Sequence, residues 1–248
     1  VVLEGQVKYA VSVLNIGGFI NDKCRESMVH AADRWGAEYV EWTEDVVRSP
    51  HGCQWFNKFV QTERFSGYDG VIHLDGDIMV SIEAPSPFET AWDHKSLGYS
   101  CEYQPEAGIV GTYGLVYKCG FIKKCVDHWA TKMGMSTPSL GQRSPSCVNG
   151  GVLMYNPALA AEWFAEVLEW GKIVQHGPFR LSDQSILSVL IENGRIPGQT
   201  LGITWNCTHA GNRPSLMGPG MCYNVYHFCG RPKERPRRYS QVDWRIRQ

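Results

Sequence analysis

With 248 residues, 43% of them hydrophobic and 20% charged, the chain is long enough for a substantial core and lies outside the disordered class. A net charge of −1, from 24 Lys+Arg against 25 Asp+Glu, gives no overall field for nucleic acid or an anionic membrane. Nine cysteines form an odd set without a C-x-x-C pair, which argues against a structural zinc site and makes reduced thiols the default.

In chain order, Tyr9 to Asn15 reads as a buried strand, followed by a turn at Gly17-Gly18. A helix follows from Asp22 to Trp35, with Cys24, Met28, Ala31, Ala32 and Trp35 on one face and Gly36 as its stop signal. Glu38 to Trp42 completes a strand, helix, strand unit of the nucleotide-binding kind, although the usual glycine fingerprint is missing. Gln54 to Phe65 is predicted helical, and Gly70 to Leu74 is a buried strand running directly into Asp75-Gly76-Asp77. Phe121 to Trp129 has helical spacing, and Gly151 to Tyr155 is a short strand. Asn156-Pro157 caps a helix that turns Ala160, Trp163, Phe164, Val167 and Leu168 inward and ends at Gly171. Ser182 caps a further helix with Asp183-Gln184 in its first turn and an apolar body from Ile186 to Ile191. Frequent Gly and Pro beyond Pro197 predict loops over one face, with Trp205 and Trp244 as candidates for stacking on sugar rings.

No repeat, low-complexity tract or linker interrupts the chain, so one domain is expected over 1–248, with a nucleotide-binding half to about residue 80 and an acceptor-binding half beyond it. The acceptor pocket is expected in the loops Ser86 to Gly114 and Gly194 to Pro219. Arg231 to Gln248 carries seven basic and two acidic residues and reads as a solvated segment, with a phosphate-facing or membrane-surface patch as the alternative. No signal peptide, long apolar run or lipidation motif is present, and the first residue is Val1. A cytoplasmic location is favoured. A Golgi or other secretory location is the alternative if an anchor has been removed, and the sequon Asn206-Cys207-Thr208 fits it.

Two carboxylates flanking a residue without a side chain can both turn toward one hard cation, and an oxygen-rich site suits Mg²⁺ or Mn²⁺. Asp75-Gly76-Asp77 has that form, at the end of a buried strand where open α/β sheets place ligands. The stretch Lys58 to Val80 resembles the donor-site segment of the family-8 retaining glycosyltransferases, the group of glycogenin and the lipopolysaccharide galactosyltransferases. Three further segments resemble that family in the same order: Asn149 to Pro157, Asp183-Gln184, and His227 to Lys233 with its His-x-x-Gly-x-x-Lys spacing.

The resemblance implies a type A glycosyltransferase fold, an α/β domain with a mixed, mostly parallel sheet and helices on both faces. It implies that Asp75, Asp77 and His227 hold a divalent metal, commonly Mn²⁺. Lys58 and Lys233 would contact the donor diphosphate, with Gly76 and Gly230 allowing close backbone approach. Asn149, Asp183 and Gln184 would surround the transferred sugar, and Leu14 and Asn15 would meet the nucleoside, uridine being favoured. The implied partners are a nucleotide-sugar donor and a glycan or other hydroxyl acceptor, and no nucleic acid. Where the family closes with Lys-Pro-Trp this chain has Lys233-Glu234-Arg235, which brings Arg235, Arg237 and Arg238 forward as additional diphosphate contacts. Two alternatives stand beside this reading: a sugar-1-phosphate nucleotidyltransferase, and a non-catalytic carbohydrate-binding protein on a transferase fold.

Overall fold

The computed structural model describes residues 7–47, 54–101, 124–136, 148–173, 182–205 and 224–228. Its centre is a six-stranded sheet in the order β2 (Ala37–Trp42), β1 (Tyr9–Leu14), β3 (Gly70–Leu74), β6 (Val148–Tyr155), β5 (Leu97–Cys101) and β7 (Gly198–Thr200). β1 is parallel to both β2 and β3, and β5 is parallel to β7. Only β6 runs against its neighbours, so its first residues lie beside the last residues of β3 and β5. A separate antiparallel pair joins β4 (Ile78–Val80) to β8 (Val225–His227).

Both faces of the sheet are covered. One face packs under α1 (Asp22–Arg34) and the aromatic residues Trp35, Phe88, Trp92 and Trp205. Asn21 caps α1 by accepting from Lys23 N, and the buried stripe Cys24, Ser27, Met28, Ala31, Ala32 faces inward. Full burial of a side chain such as Met28 contributes about 1.5–3 kcal/mol. Ser27 Oγ accepts from Val80 N at 3.1 Å and so ties α1 to β4. After the helix Gly36 takes a φ of +62°, a left-handed stop that suits glycine. The other face carries a 3₁₀ helix at Gln54–Phe59, α3 at 124–133, α4 (Pro157–Ile173) and α5 (Ser182–Glu192).

Several expectations need correction. Gln54 to Phe65 is not one α-helix but the 3₁₀ helix followed by turns, because four successive side chains, Phe56 to Phe59, all go inward. Asn57 also binds tertiary partners there: its Oδ1 accepts from Val46 N and Val47 N, and its Nδ2 donates to Asp45. Gly171 does not end α4. It lies within the helix where Phe56 leaves no room, since a Cβ would come 2.6 Å from Phe56 Cε1. β6 begins at Val148 rather than Gly151, and the span expected as acceptor loop contains α2 (Pro87–Thr90) and β5. Among its described residues the turn-rich final third holds two short strands, β7 and β8, and Trp205 packs against Trp35 in the core rather than facing solvent. Residues 121–123, Trp244, Gly230, Lys233 and the basic segment 231–248 lie outside the described residues. Among the described residues, no helix is long and apolar enough to cross a membrane.

Candidate active site

The carboxyl ends of β1 and β3 meet the start of antiparallel β6, and the chemically distinctive side chains gather there. Asp75 leaves β3 with its N–H donating to Gly151 O at 2.9 Å, and Ile78 N donates back to Asp75 O at 3.1 Å. That tight turn delivers the chain into β4, where Ile78 pairs with His227 and Phe228 N donates to Asp77 O at 3.0 Å. His227 Nε2 thereby lies 3.2 Å from Asp77 Oδ1 and 3.9 Å from Asp75 Oδ2. Ligand atoms in an octahedron with bonds of about 2.1 Å are separated by about 3 to 4.2 Å, so both His227 distances suit a hard divalent cation, and the ligand atoms of all three residues lie within 4.8 Å of one another. Asp77 and His227 are buried, while Asp75 keeps 28% of its side chain exposed.

Two glycines shape this corner. A Cβ on Gly151 would overlap His227 Cε1 and come 2.9 Å from its Nδ1. A Cβ on Gly150 would come 2.9 Å from Lys58 Nζ and 3.0 Å from Asp183 Oδ2. The register between β5 and β6 jumps beside both, from Tyr99↔Leu153 to Ser100↔Asn149, so Gly150 to Val152 bulge out of the β5 ladder. Asn149 Oδ1 accepts from Gly151 N at 2.9 Å and braces the bulge. Gly76 is similarly confined, since a Cβ there would come 2.9 Å from Ile20 Cγ1 and 3.3 Å from Leu14 O.

Beneath the carboxylates, Lys58 is 1% exposed. Its Nζ donates to Gly150 O at 2.9 Å, pairs with Asp183 Oδ2 at 2.9 Å and lies 3.9 Å from Asp75 Oδ1. Burial alone would lower the pKa of its ammonium, but Asp183 and Asp75 outweigh burial and hold it above the ordinary lysine value. Burial works against ionised Asp75 too, yet Lys58 and the neighbouring histidines keep that carboxyl well below the usual range. Gln184 Oε1 accepts from Gly150 N at 3.5 Å, and its buried Nε2 has no hydrogen-bond partner among the described residues.

At the β1 end, Asn15 Oδ1 accepts from Ile20 N at 3.1 Å and its Nδ2 donates to Glu41, which Arg25 also grips through two nitrogens. The side chain of Asn15 therefore fixes the loop after β1. Leu14 reaches the site through its carbonyl, beside Gly76.

The structure thus brings Lys58, Asp75, Gly76, Asp77, Asn149, Asp183, Gln184 and His227 to one region, with Leu14 and Asn15 at its β1 edge. Sequence reasoning passes over His73, and includes Gly150 and Gly151 in the Asn149 segment without foreseeing how closely His227, Lys58 and Asp183 confine them. The doubled glycine beside Asn149 is the signal that was available, since adjacent glycines within a strand mark a bulge or close backbone approach.

No protein-family model matches the sequence, and a comparison with curated proteins returns no significant match. Solved structures do match. A glycosyltransferase involved in glycosylation of the major capsid of PBCV-1 superposes with a TM-score of 0.60 at 13% identity, covering 95% of this chain and 100% of that one. The galactosyltransferase LgtC, solved with donor and acceptor sugar analogues, gives a TM-score of 0.52 at 17% identity over 96% of this chain and 86% of its own. Mouse xyloside xylosyltransferase 1 gives 0.51 at 12% identity over 90% and 98%. At such identities the likeness is one of architecture, and the chain has the type A glycosyltransferase fold.

Proposed function

We propose that the chain is a metal-dependent glycosyltransferase that moves a hexose-type sugar from a nucleotide-diphosphate donor to a glycan or other hydroxyl acceptor, with retention at the anomeric carbon. A UDP-sugar is the favoured donor and Mn²⁺ the favoured ion, with Mg²⁺ as its substitute. The observation that carries this reading is the convergence of Asp75, Asp77 and His227 at the carboxyl end of a sheet with the glycosyltransferase fold.

In this reading residues 1–248 act as one domain, and Asp75, Asp77 and His227 hold the cation. When bound, the ion supplies Lewis-acid neutralisation of the departing diphosphate. The remaining work falls to the protein's own side chains. Gly76 keeps the backbone thin beside the donor, Leu14 and Asn15 border the nucleoside, and the resemblance assigns Gly230 and Lys233 to the diphosphate. Asn149, Asp183 and Gln184 surround the sugar, and the unpartnered Nε2 of Gln184 is a donor available to a hydroxyl. Lys58, expected at the diphosphate, is instead engaged by Asp183, Asp75 and Gly150 O, and contributes through Asp183, whose carboxylate it holds in place.

Gln184 is a poor nucleophile and Asp183 is engaged by Lys58, so neither suits a double displacement. The acceptor hydroxyl then enters on the face from which the diphosphate leaves. The new glycosidic bond forms as the sugar–phosphate bond breaks, and the hydroxyl proton passes to the departing phosphate. Proton NMR of the first product made from an α-linked donor is expected to show an α linkage, and a β linkage would refute retention.

A second expected result concerns binding alone. Mn²⁺ and UDP should each raise the melting temperature more when the other is present, because they share oxygens at one site. Strictly additive shifts would separate the two ligands and remove the basis for a shared site.

A further inference from the structure

His73 has no role in the reading above, yet it is one of the most unusual side chains in the protein. It is fully buried in β3, and neither ring nitrogen has a hydrogen-bond partner among the described residues. An apolar residue would fit more cheaply, since Val71 and Leu153 beside it belong to the core under α4 and α5. Its lateral neighbour in β1 is Ser12, whose hydroxyl donates to Gln61 Oε1 and leaves Gln61 Nε2 unpartnered as well.

The imidazole does have one close polar neighbour. His73 Nε2 lies 3.5 Å from Asp75 Oδ1, the oxygen that Lys58 Nζ approaches at 3.9 Å. The other oxygen, Asp75 Oδ2, faces His227 Nε2 at 3.9 Å. The carboxylate is thus divided, with one oxygen turned to buried donors and the other to the candidate ligand set. An imidazole N–H at 3.5 Å from a carboxylate oxygen can orient it.

We infer that His73 is a positioning residue for Asp75: its Nε2–H holds Oδ1, closing from 3.5 Å to a hydrogen bond, so that Oδ2 is presented to a divalent cation. The inference rests on the metal-binding reading proposed above. It accounts for an imidazole in a place where the fold alone would favour leucine.

The test is Mn²⁺ titrated by calorimetry into wild type, His73→Leu and His73→Gln, each saturated with UDP, together with melting temperatures of the ligand-free proteins. His73→Leu should bind Mn²⁺ about 10- to 100-fold more weakly. Its ligand-free melting temperature should be unchanged or raised, since two unbonded nitrogens leave the core. His73→Gln, which restores an N–H, should recover most of the affinity. A lower melting temperature with unchanged Mn²⁺ affinity in His73→Leu is the signature of a merely structural histidine and would overturn the inference. Nitrogen-15 NMR of histidine-labelled wild type needs no variant to fold. The His73 ring should carry its proton on Nε2, and should shift when Mg²⁺ and UDP are added. A ring protonated on Nδ1, or one that the ligands do not move, would equally overturn it. Failure of wild type itself to bind either ion would defeat the metal-dependent reading and the role of His73 with it. Normal wild-type binding with no loss in His73→Leu defeats the role of His73 alone.

Discussion

Lys58→Met is expected to lower the stability of the domain by about 3–5 kcal/mol, the loss typical of removing one partner from a buried ion pair. The ammonium is 1% exposed and is the cation shared by Asp183 Oδ2 at 2.9 Å and Asp75 Oδ1 at 3.9 Å. Methionine fills most of the volume but leaves Asp183 buried without a counter-charge, and leaves Gly150 O without its donor. Against a typical total of about 5–15 kcal/mol, that loss would leave a protein at the low end of the range close to its unfolding midpoint. Urea unfolding followed by tryptophan fluorescence measures it, and a loss below about 1 kcal/mol would mean that the pair does not hold the site together. Adding Asp183→Leu to Lys58→Met should recover part of the loss, because the double change removes both buried charges at once.

Gly151→Ala is expected to reduce metal-dependent turnover by about 10²-fold or more, on the scale of a lost transition-state contact, and to match His227→Ala in doing so. The added methyl group would overlap His227 Cε1, come 2.9 Å from Nδ1 and lie 3.0 Å from Asn149 Oδ1. These atoms belong to two residues, His227 and Asn149, both named parts of the site, and the overlap with His227 requires its ring to shift. Overpacking itself costs about 1–3 kcal/mol, so the variant should fold. The diagnostic reading is the melting temperature, which should fall modestly without ligands and lose its joint response to Mn²⁺ and UDP. Gly67→Ala is the matched control, since nothing lies within 4 Å of a Cβ at that position. Retention of full metal-dependent turnover in Gly151→Ala would show that His227 works from another position or not at all.

The parts of the fold that are legible in the sequence are those with a sustained local signal. β1 and β3 are announced by largely apolar runs, α1 by its 3.6-residue repeat, and β2 by the short strand that follows the helix stop. Leu97–Cys101 gives no such signal, because Gly98 and Ser100 interrupt it. Gly98 is required by tertiary packing, with a Cβ coming 3.0 Å from both Met154 Cβ and Trp92 Cδ1. β4, β7 and β8 have three residues each, too short for any periodicity to register.

The candidate site divides in the same way. Asp75, Asp77, Asn149, Asp183, Gln184 and His227 stand out through ordered motifs, and the fold brings them together. Lys58 does stand out through the resemblance, but its burial does not. Nothing in Asn57-Lys58-Phe59 distinguishes an interior lysine from a solvated one when its partners lie at 75, 150 and 183. His73 is hidden for a related reason: its lateral neighbours belong to β1 and β6, neither of which is adjacent to β3 in the chain.

The small ribbon of β4 and β8 determines when the site can exist during folding. Ile78 pairs with His227, so the third candidate ligand arrives from a distant part of the chain through a ladder of three residue pairs. Closing so long a loop costs entropy before any contact repays it, whereas β1, α1, β2 and β3 assemble from near neighbours. The β1 to β3 unit, with both carboxylates following it, therefore has a short route to its native arrangement. Docking of Val225–His227 comes as a late, separately reversible event, and hydrogen exchange should find its amides among the first in the central structure to open.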